Sequence, residues 1–312
     1  MNKNEIKVSV VIPVYNGMPY LKETVKAILH QTHQNFELII IDDGSNDESK
    51  KYLKSIQDSR VKLIIQTNIG LSNSLNKAFA LAKGKYIIRN DQDDVSEIDR
   101  IEKQVKVLEE SAFDCVFTHI TKISKTKEWS NLDKLVDKKK SIRIFNPWID
   151  GCIVNSTMAI KTDIFHEIGG YRQEYYPSDD WDLELRLSQK FSIGIIEESL
   201  LRYRFHDSAN TYKYWQIMQD KRRWAEDSYF KRKENKDELI YEDFLFRQKK
   251  NLFINFNRSR KDKAKLFMRK AGSSFLSKKY FSLFKYFVLT ILFHPKEVLK
   301  RSFKLISNII VK

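Results

Sequence analysis

The chain has 312 residues, 42% of them hydrophobic and 31% charged, a globular balance that excludes a disordered or collagen-like chain and suffices for one large domain with an appendage. Two cysteines, Cys115 and Cys152, exclude a disulfide framework and read as small buried hydrophobes. The net charge is +15, yet Arg247 to Lys312 alone carries 18 Lys or Arg against two acids, so the preceding residues sum to −1 and all the excess belongs to the tail.

Met1 to Glu5 leads directly into an apolar run, so no secretory signal is expected ahead of the fold. Strands are predicted near 7–12, 36–41, 61–65 and 85–89, with helical patterns near 18–31, 46–57, 71–82 and 97–110. This alternation predicts an α/β fold with a mainly parallel sheet flanked by helices. Gly17 and Gly44 punctuate strand exits, and Gly84 stands where a helix stops before the next strand. Ser45 and Glu48 have the spacing of a capping box for the second helix. Residues 122–140 are polar, a loop or hairpin region, after a strand that holds Cys115. Near the C-terminus, Tyr286 to Phe293 is apolar but far shorter than the roughly 20 residues that span a bilayer. Beyond His294-Pro295, Leu299, Phe303, Ile306 and Ile310 recur at helical spacing among Lys300, Arg301 and Lys304. A basic helical extension interleaved with aromatic rings suits an anionic membrane surface; the alternative is a helix packed on the preceding domain.

The acidic segment Asp91-Gln92-Asp93-Asp94 follows the apolar run Tyr86-Ile87-Ile88. A buried strand that ends in closely spaced carboxylates carries them to the rim of a sheet, where they can hold a hard divalent cation against phosphate oxygens. The ordinary fate of such a pair is a solvated turn, but alternation along an extended exit would set Asp91 and Asp93 on one side. Pro13 and Asn16 suit a turn, while Tyr15 beside them offers an aromatic face to a nucleobase. Asp42 and Asp43 either cap the next helix or accept a base imide hydrogen. In Ser178-Asp179-Asp180-Trp181-Asp182, a helix cap uses one carboxylate and leaves others for a general base. Glycine-rich phosphate loops are absent, so phosphate charge must be met by a cation or by basic side chains.

Taken in order, "VSVVIPVYNG", "FELIIIDDGSND" and "GKYIIRNDQDD" resemble the nucleotide-sugar-binding half of family 2 glycosyltransferases, whose GT-A (Rossmann-like) fold carries a DxD carboxylate signature. The resemblance continues through Ile168-Gly169-Gly170-Tyr171, the stretch from Ser178 to Leu187, and Tyr203-Arg204-Phe205-His206, over roughly the first two-thirds of the chain. It implies a GT-A domain over 1–212, with a nucleotide-sugar half at 1–112 and an acceptor half at 113–212, followed by a basic helical region at 213–312. It implies an inverting enzyme, dependent on Mn²⁺ or Mg²⁺, that moves a sugar from a UDP-sugar to a hydroxyl of a glycan or lipid-linked acceptor. The setting implied is cell-surface polysaccharide or lipopolysaccharide synthesis, and the basic tail would place this cytoplasmic enzyme at the inner face of the cell membrane. It places Pro13 and Tyr15 around the nucleotide, Asp43 on uracil, Asp91 on the ribose, and Asp93 on the metal with Asp94 adjacent. It makes Asp180 the base and brings His206 back over the diphosphate to the metal. Gln92 stands where many relatives carry a small residue, which would narrow the pocket. Processive members carry Gln-x-x-Arg-Trp; here Asp220 replaces the Gln before Arg223-Trp224, which implies one sugar per encounter. Two other readings are a nucleotidyltransferase, which lacks its glycine-rich loop here, and a nucleic-acid binder using the basic tail. The acidic rim in a near-neutral body argues against nucleic acid as a partner.

Overall fold

The computed structural model describes residues 7–123, 128–130, 141–205, 214–249, 252–276 and 280–295. His206 and the apolar positions from Leu299 onward lie outside them. The chain forms two compact units, Met1–Ile123 with Glu128–Arg204 and a second from Phe205 onward.

The first unit begins with strands β1 (Val8–Val14), β2 (Phe36–Asp42), β3 (Val61–Ile65) and β4 (Tyr86–Arg89), joined by helices α1 (Leu21–Leu29), α2 (Ser49–Lys54) and α3 (Leu71–Ala80). These strands run parallel in the order β3-β2-β1-β4. β1, β2 and β4 are buried along their whole length, as near-continuous apolar runs covered on both faces must be. Val10, Ile12, Leu38, Ile40 and Ile88 form the core with Leu21, Val25 and Ile28 of α1. Because the sheet grows first to one side of β1 and then to the other, its switch point lies between β1 and β4. Ligands of such sheets bind in the crevice outside the carboxyl ends at that point.

The remainder of this unit comprises β5 (Val95–Ser96), α4 (Arg100–Glu110), β6 (Cys115–Ile123), β7 (Glu128–Ser130), β8 (Ile142–Ile144), α5 (Pro147–Asp150), β9 (Ala159–Lys161), α6 (Thr162–Glu167), α7 (Asp179–Lys190) and β10 (Ile193–Arg204). The sheet continues from β4 through β9, β6, β10 and β5. Here it becomes mixed: β9 lies antiparallel to both β4 and β6, while β10 runs parallel to β6.

Two local expectations are corrected. Gly84 does not stop α3, which ends at Ala80; a Cβ at Gly84 would lie 2.5 Å from the Ser9 nitrogen, so glycine is required by close approach to β1. Ser45 and Glu48 form no capping box, because α2 starts at Ser49 without a side-chain cap from Glu48. The Ser45 hydroxyl instead accepts from the Asn16 amide at 2.9 Å.

The second unit contains α8 (Trp215–Lys233), α9 (Tyr241–Lys249), α10 (Leu252–Leu276) and α11 (Tyr280–Phe293). The segment from Asp220 to Trp224 serves packing within it. Arg223 bridges Asp220 and Asp262, each at 2.8 Å, and Trp224 Nε1 donates to the Leu239 carbonyl at 2.7 Å. Among the described residues no helix is long and apolar enough to cross a membrane. On α11, Tyr286 stacks on Phe267 of α10, while Phe281, Phe284 and Leu292 are 85%, 68% and 65% exposed.

Candidate active site

At the switch point the exits of β1, β2 and β4 are tied to one another. Pairing of β1 with β4 stops at Val11 opposite Arg89, so Pro13, which has no N–H, occupies a part of β1 where none is needed on that side. Pro13 itself is buried in the strand, and Tyr15 beyond it is 47% exposed. The Gln92 amide clasps the Tyr15 backbone, accepting from its nitrogen at 2.8 Å and donating to its oxygen at 3.2 Å. The longer residue at position 92 is therefore spent on holding the β1 exit.

Asp43 is buried and its carboxylate organises the loop that leads into α3. It accepts from Gln66 Nε2 and the Ile69 amide at 2.9 Å each, and from the Gly70 amide at 3.0 Å. Asp42 accepts from the Ser45 amide at 3.0 Å and keeps its other oxygen buried without a hydrogen-bond partner. Neither aspartate caps α2.

Residues 91–94 curl into a turn, not an extended exit, so alternation does not set the Asp91 and Asp93 side chains. Asn90 Nδ2 donates to the carbonyls of Asp91 and Asp94, and the Asp94 amide reaches back to the Asp91 carbonyl at 3.3 Å. Asp91 and Asp93 remain partly exposed, whereas Asp94 is buried. Asp94 accepts from Ser156 Oγ at 2.6 Å and from the Arg204 amide at 3.0 Å. Burial, then the charges of Asp93 and Asp91, push the Asp94 carboxyl well above the usual carboxylate range.

Two buried guanidiniums stand behind this turn, and neither was legible as part of the site. Arg89 donates to both oxygens of Asp91, at 2.9 and 3.3 Å. Arg100, the first residue of α4, donates to Asn90 Oδ1, Ser96 Oγ, Gln104 Oε1 and the carbonyls of Arg89 and Ser156, all within 3.0 Å. Burial draws Arg100 down to about 9, against the raising pull of Asp94 and Asp91, so it stays charged at neutral pH. Arg204, at the end of β10, adds a third brace by donating to the Asp93 carbonyl at 2.9 Å and lying over the Tyr20 ring.

The three aspartates that open α7 have separate surroundings. Asp182 is fully buried between Arg172 and Arg186, and Arg186 also holds the carbonyls of Ile168 and Gly170. Gly170 is at φ 68°, where a Cβ would meet Asn76 Oδ1 at 2.6 Å, so the Gly-Gly-Tyr turn needs glycine there. Asp179 is buried and accepts from Ser72 Oγ at 2.6 Å, joining α7 to α3. Burial, then the charge of Asp180, push Asp179 up to about 6. Asp180 is the partly exposed member, with one oxygen accepting from the Trp181 amide at 2.7 Å. The buried Tyr171 hydroxyl accepts from Arg89, which holds Asp91, and donates to Asn155, which in turn donates to Glu184 of α7, so the acidic rim and α7 are joined through one buried network.

Among the described residues, no three His, Cys, Asp or Glu side chains gather into a protein-only metal site. One or two rim carboxylates are nevertheless the donor set that Mg²⁺ or Mn²⁺ takes when phosphate oxygens complete its shell. Asp91 and Asp93 fit a cation that arrives with a nucleotide; His206 lies outside the described residues.

The family model "Glycosyl transferase family 2" matches residues 9–169. An uncharacterized glycosyltransferase of Haemophilus influenzae is 30% identical over 66% of this chain and 68% of its own length. One from Rickettsia conorii is 32% identical over 67% of this chain, which spans about a third, 34%, of that longer relative. A Bacillus subtilis glycosyltransferase named for teichuronic acid biosynthesis, TuaG, is 32% identical over 43% of this chain and 54% of its own. Among solved structures, S. aureus TarS 1-349 in complex with UDP-GlcNAc superposes with a TM-score of 0.59 over 91% of this chain and 90% of that one, a likeness of fold at 14% identity. With its strand-end motifs inside a family match that covers more than half its length, the chain belongs to glycosyltransferase family 2 and has the α/β fold, with a helical C-terminal region, expected of it.

Proposed function

We propose that this enzyme transfers a single sugar, with inversion, from a UDP-sugar to a hydroxyl of a glycan or lipid-linked acceptor in cell-surface polysaccharide synthesis. The observation that carries this reading is the convergence of Tyr15, Asp43 and the 91–94 turn at the switch point, with the α7 turn tied to them through Ser72. The fold shared with a UDP-GlcNAc complex supports the donor class, and the teichuronic acid name of one relative supports the product class.

In this reading Tyr15 faces the base. Asp43 uses three of about four acceptor positions and offers another to the uracil imide hydrogen. Asp91 meets the ribose, and Asp93, with Asp91 beside it, would hold the divalent cation. When bound, that cation supplies positive charge to the leaving diphosphate. Asp180, the accessible carboxylate of its turn, takes the acceptor hydroxyl proton as that oxygen bonds to the anomeric carbon and the bond from carbon to diphosphate breaks. A screen of nucleotide sugars with Mn²⁺, reading released nucleoside diphosphate, tests the reading: UDP-sugars should be hydrolysed fastest, and release from none would overturn it.

The second unit is proposed to hold the enzyme on an anionic membrane surface, at the inner face of the cell membrane. The outward rings of α11 would enter the interface, while the +16 tail attracts acidic headgroups. Co-sedimentation with vesicles containing phosphatidylserine should be strong at low salt and weaken as salt rises. Equal failure to sediment with anionic and neutral vesicles would overturn this part.

A further inference from the structure

Arg89 closes β4 with its side chain only 6% exposed, and the proposed chemistry gives this buried cation no task. Its Nε and one Nη grip the two oxygens of Asp91 at 2.9 and 3.3 Å, a fork that fixes the plane of the carboxylate. The other Nη donates backwards, to Asn155 Oδ1 at 3.0 Å and to the Tyr171 hydroxyl at 3.2 Å. Those two anchors are themselves held. Tyr171 donates to Asn155 Oδ1 at 2.5 Å and exchanges backbone hydrogen bonds with the Asn76 amide at 2.7 and 2.8 Å, while Asn155 donates to the buried Glu184 of α7 at 3.3 Å. The orientation of Asp91 is thus set by a chain of contacts that reaches both α3 and α7.

A buried ion pair is weak evidence of stabilisation, since apolar residues of the same volume often serve as well. What an apolar residue at position 89 could not do is aim Asp91, or offset its charge next to Asp93 and Asp94 and an anionic ligand. We infer that Arg89 is a positioning residue for donor binding: anchored by Asn155 and Tyr171, it holds the Asp91 carboxylate toward the nucleotide ribose and balances its charge beside the diphosphate. The inference rests on the proposed donor site.

Calorimetric titration of UDP in the presence of MnCl₂ tests it, using wild type, Arg89→Gln, Asp91→Asn and the double variant. Loss of a charge-assisted contact should weaken UDP binding by about tenfold or more in Arg89→Gln. If Arg89 acts through Asp91, the double variant binds UDP no more weakly than Asp91→Asn alone. Penalties that add, or wild-type affinity in Arg89→Gln, would overturn the inference while leaving the donor reading intact. A wild-type protein that binds no UDP would overturn both. Should Arg89→Gln fail to fold, Tyr171→Phe takes its place in the same cycle; it keeps the guanidinium and removes one anchor. Its penalty, about two- to fivefold, should likewise vanish in the Asp91→Asn background, and a penalty that persists there overturns the inference.

Discussion

Replacing Asp179 with asparagine should stabilise the protein, by an amount that grows with pH. Asp179 is buried in the first turn of α7, and burial followed by the Asp180 charge moves its carboxyl from 3.8 to about 6. An acid raised by folding ionises more easily in the unfolded chain, so its contribution is fully present below the unfolded value and is lost as pH rises through the folded one. At about 1.4 kcal/mol per pH unit the loss reaches about 3 kcal/mol at neutral pH, of which about 1 kcal/mol is gone by pH 4.5. Asparagine keeps the shape and can still accept from Ser72 Oγ, but it does not ionise. Urea unfolding at pH 4.5 and 7.5 should therefore show Asp179→Asn gaining about 2 kcal/mol more, relative to wild type, at the higher pH. Equal differences at the two pH values would refute the reasoning, because Asp179 would then ionise as readily folded as unfolded. A carboxylate kept charged at such a cost is what functional sites tolerate.

Asp180→Asn should lower turnover by about 10²–10⁴-fold with donor affinity near wild type, since the amide keeps the shape but cannot take a proton. Lost donor binding with unchanged turnover per bound donor would instead make Asp180 a donor-site group. Asp93→Ala should abolish Mn²⁺-dependent donor hydrolysis, and wild-type hydrolysis would remove Asp93 from the cation. Arg100→Met strands the carbonyls of Arg89 and Ser156 and the side-chain oxygen of Gln104, while Asn90 Oδ1 keeps the Ser96 hydroxyl as a donor. At about 1–3 kcal/mol for each unsatisfied buried group, reduced by relaxation, urea unfolding should show a loss of about 3 kcal/mol or more. A loss under about 1 kcal/mol would contradict the brace assigned to Arg100.

The parallel half of the sheet was legible because β1, β2 and β4 are apolar runs that stop at polar residues, a pattern that survives in one dimension. β9 was not, since three residues with no alternation become a strand only through their neighbours β4 and β6. The acidic residues of the site were likewise visible, but their division of labour was not. Asp179, Asp180 and Asp182 look alike in sequence, and what separates them is Ser72 on α3, exposure, and the pair Arg172 and Arg186. Arg89 and Arg100 read as ordinary charged residues, because nothing local shows that both will be buried beneath a cluster of carboxylates. The capping box failed for a similar reason, when Asn16, 29 residues away, claimed the Ser45 hydroxyl.

A crystal structure of the protein with UDP and Mn²⁺ would show most directly where the nucleotide binds. The prediction is a cation ligated by Asp93 and bridging the diphosphate, the ribose against Asp91, and the uracil imide within hydrogen-bond reach of Asp43 beside the Tyr15 ring. A nucleotide bound away from the ends of β1, β2 and β4, or a diphosphate whose cation does not touch Asp93, would contradict it.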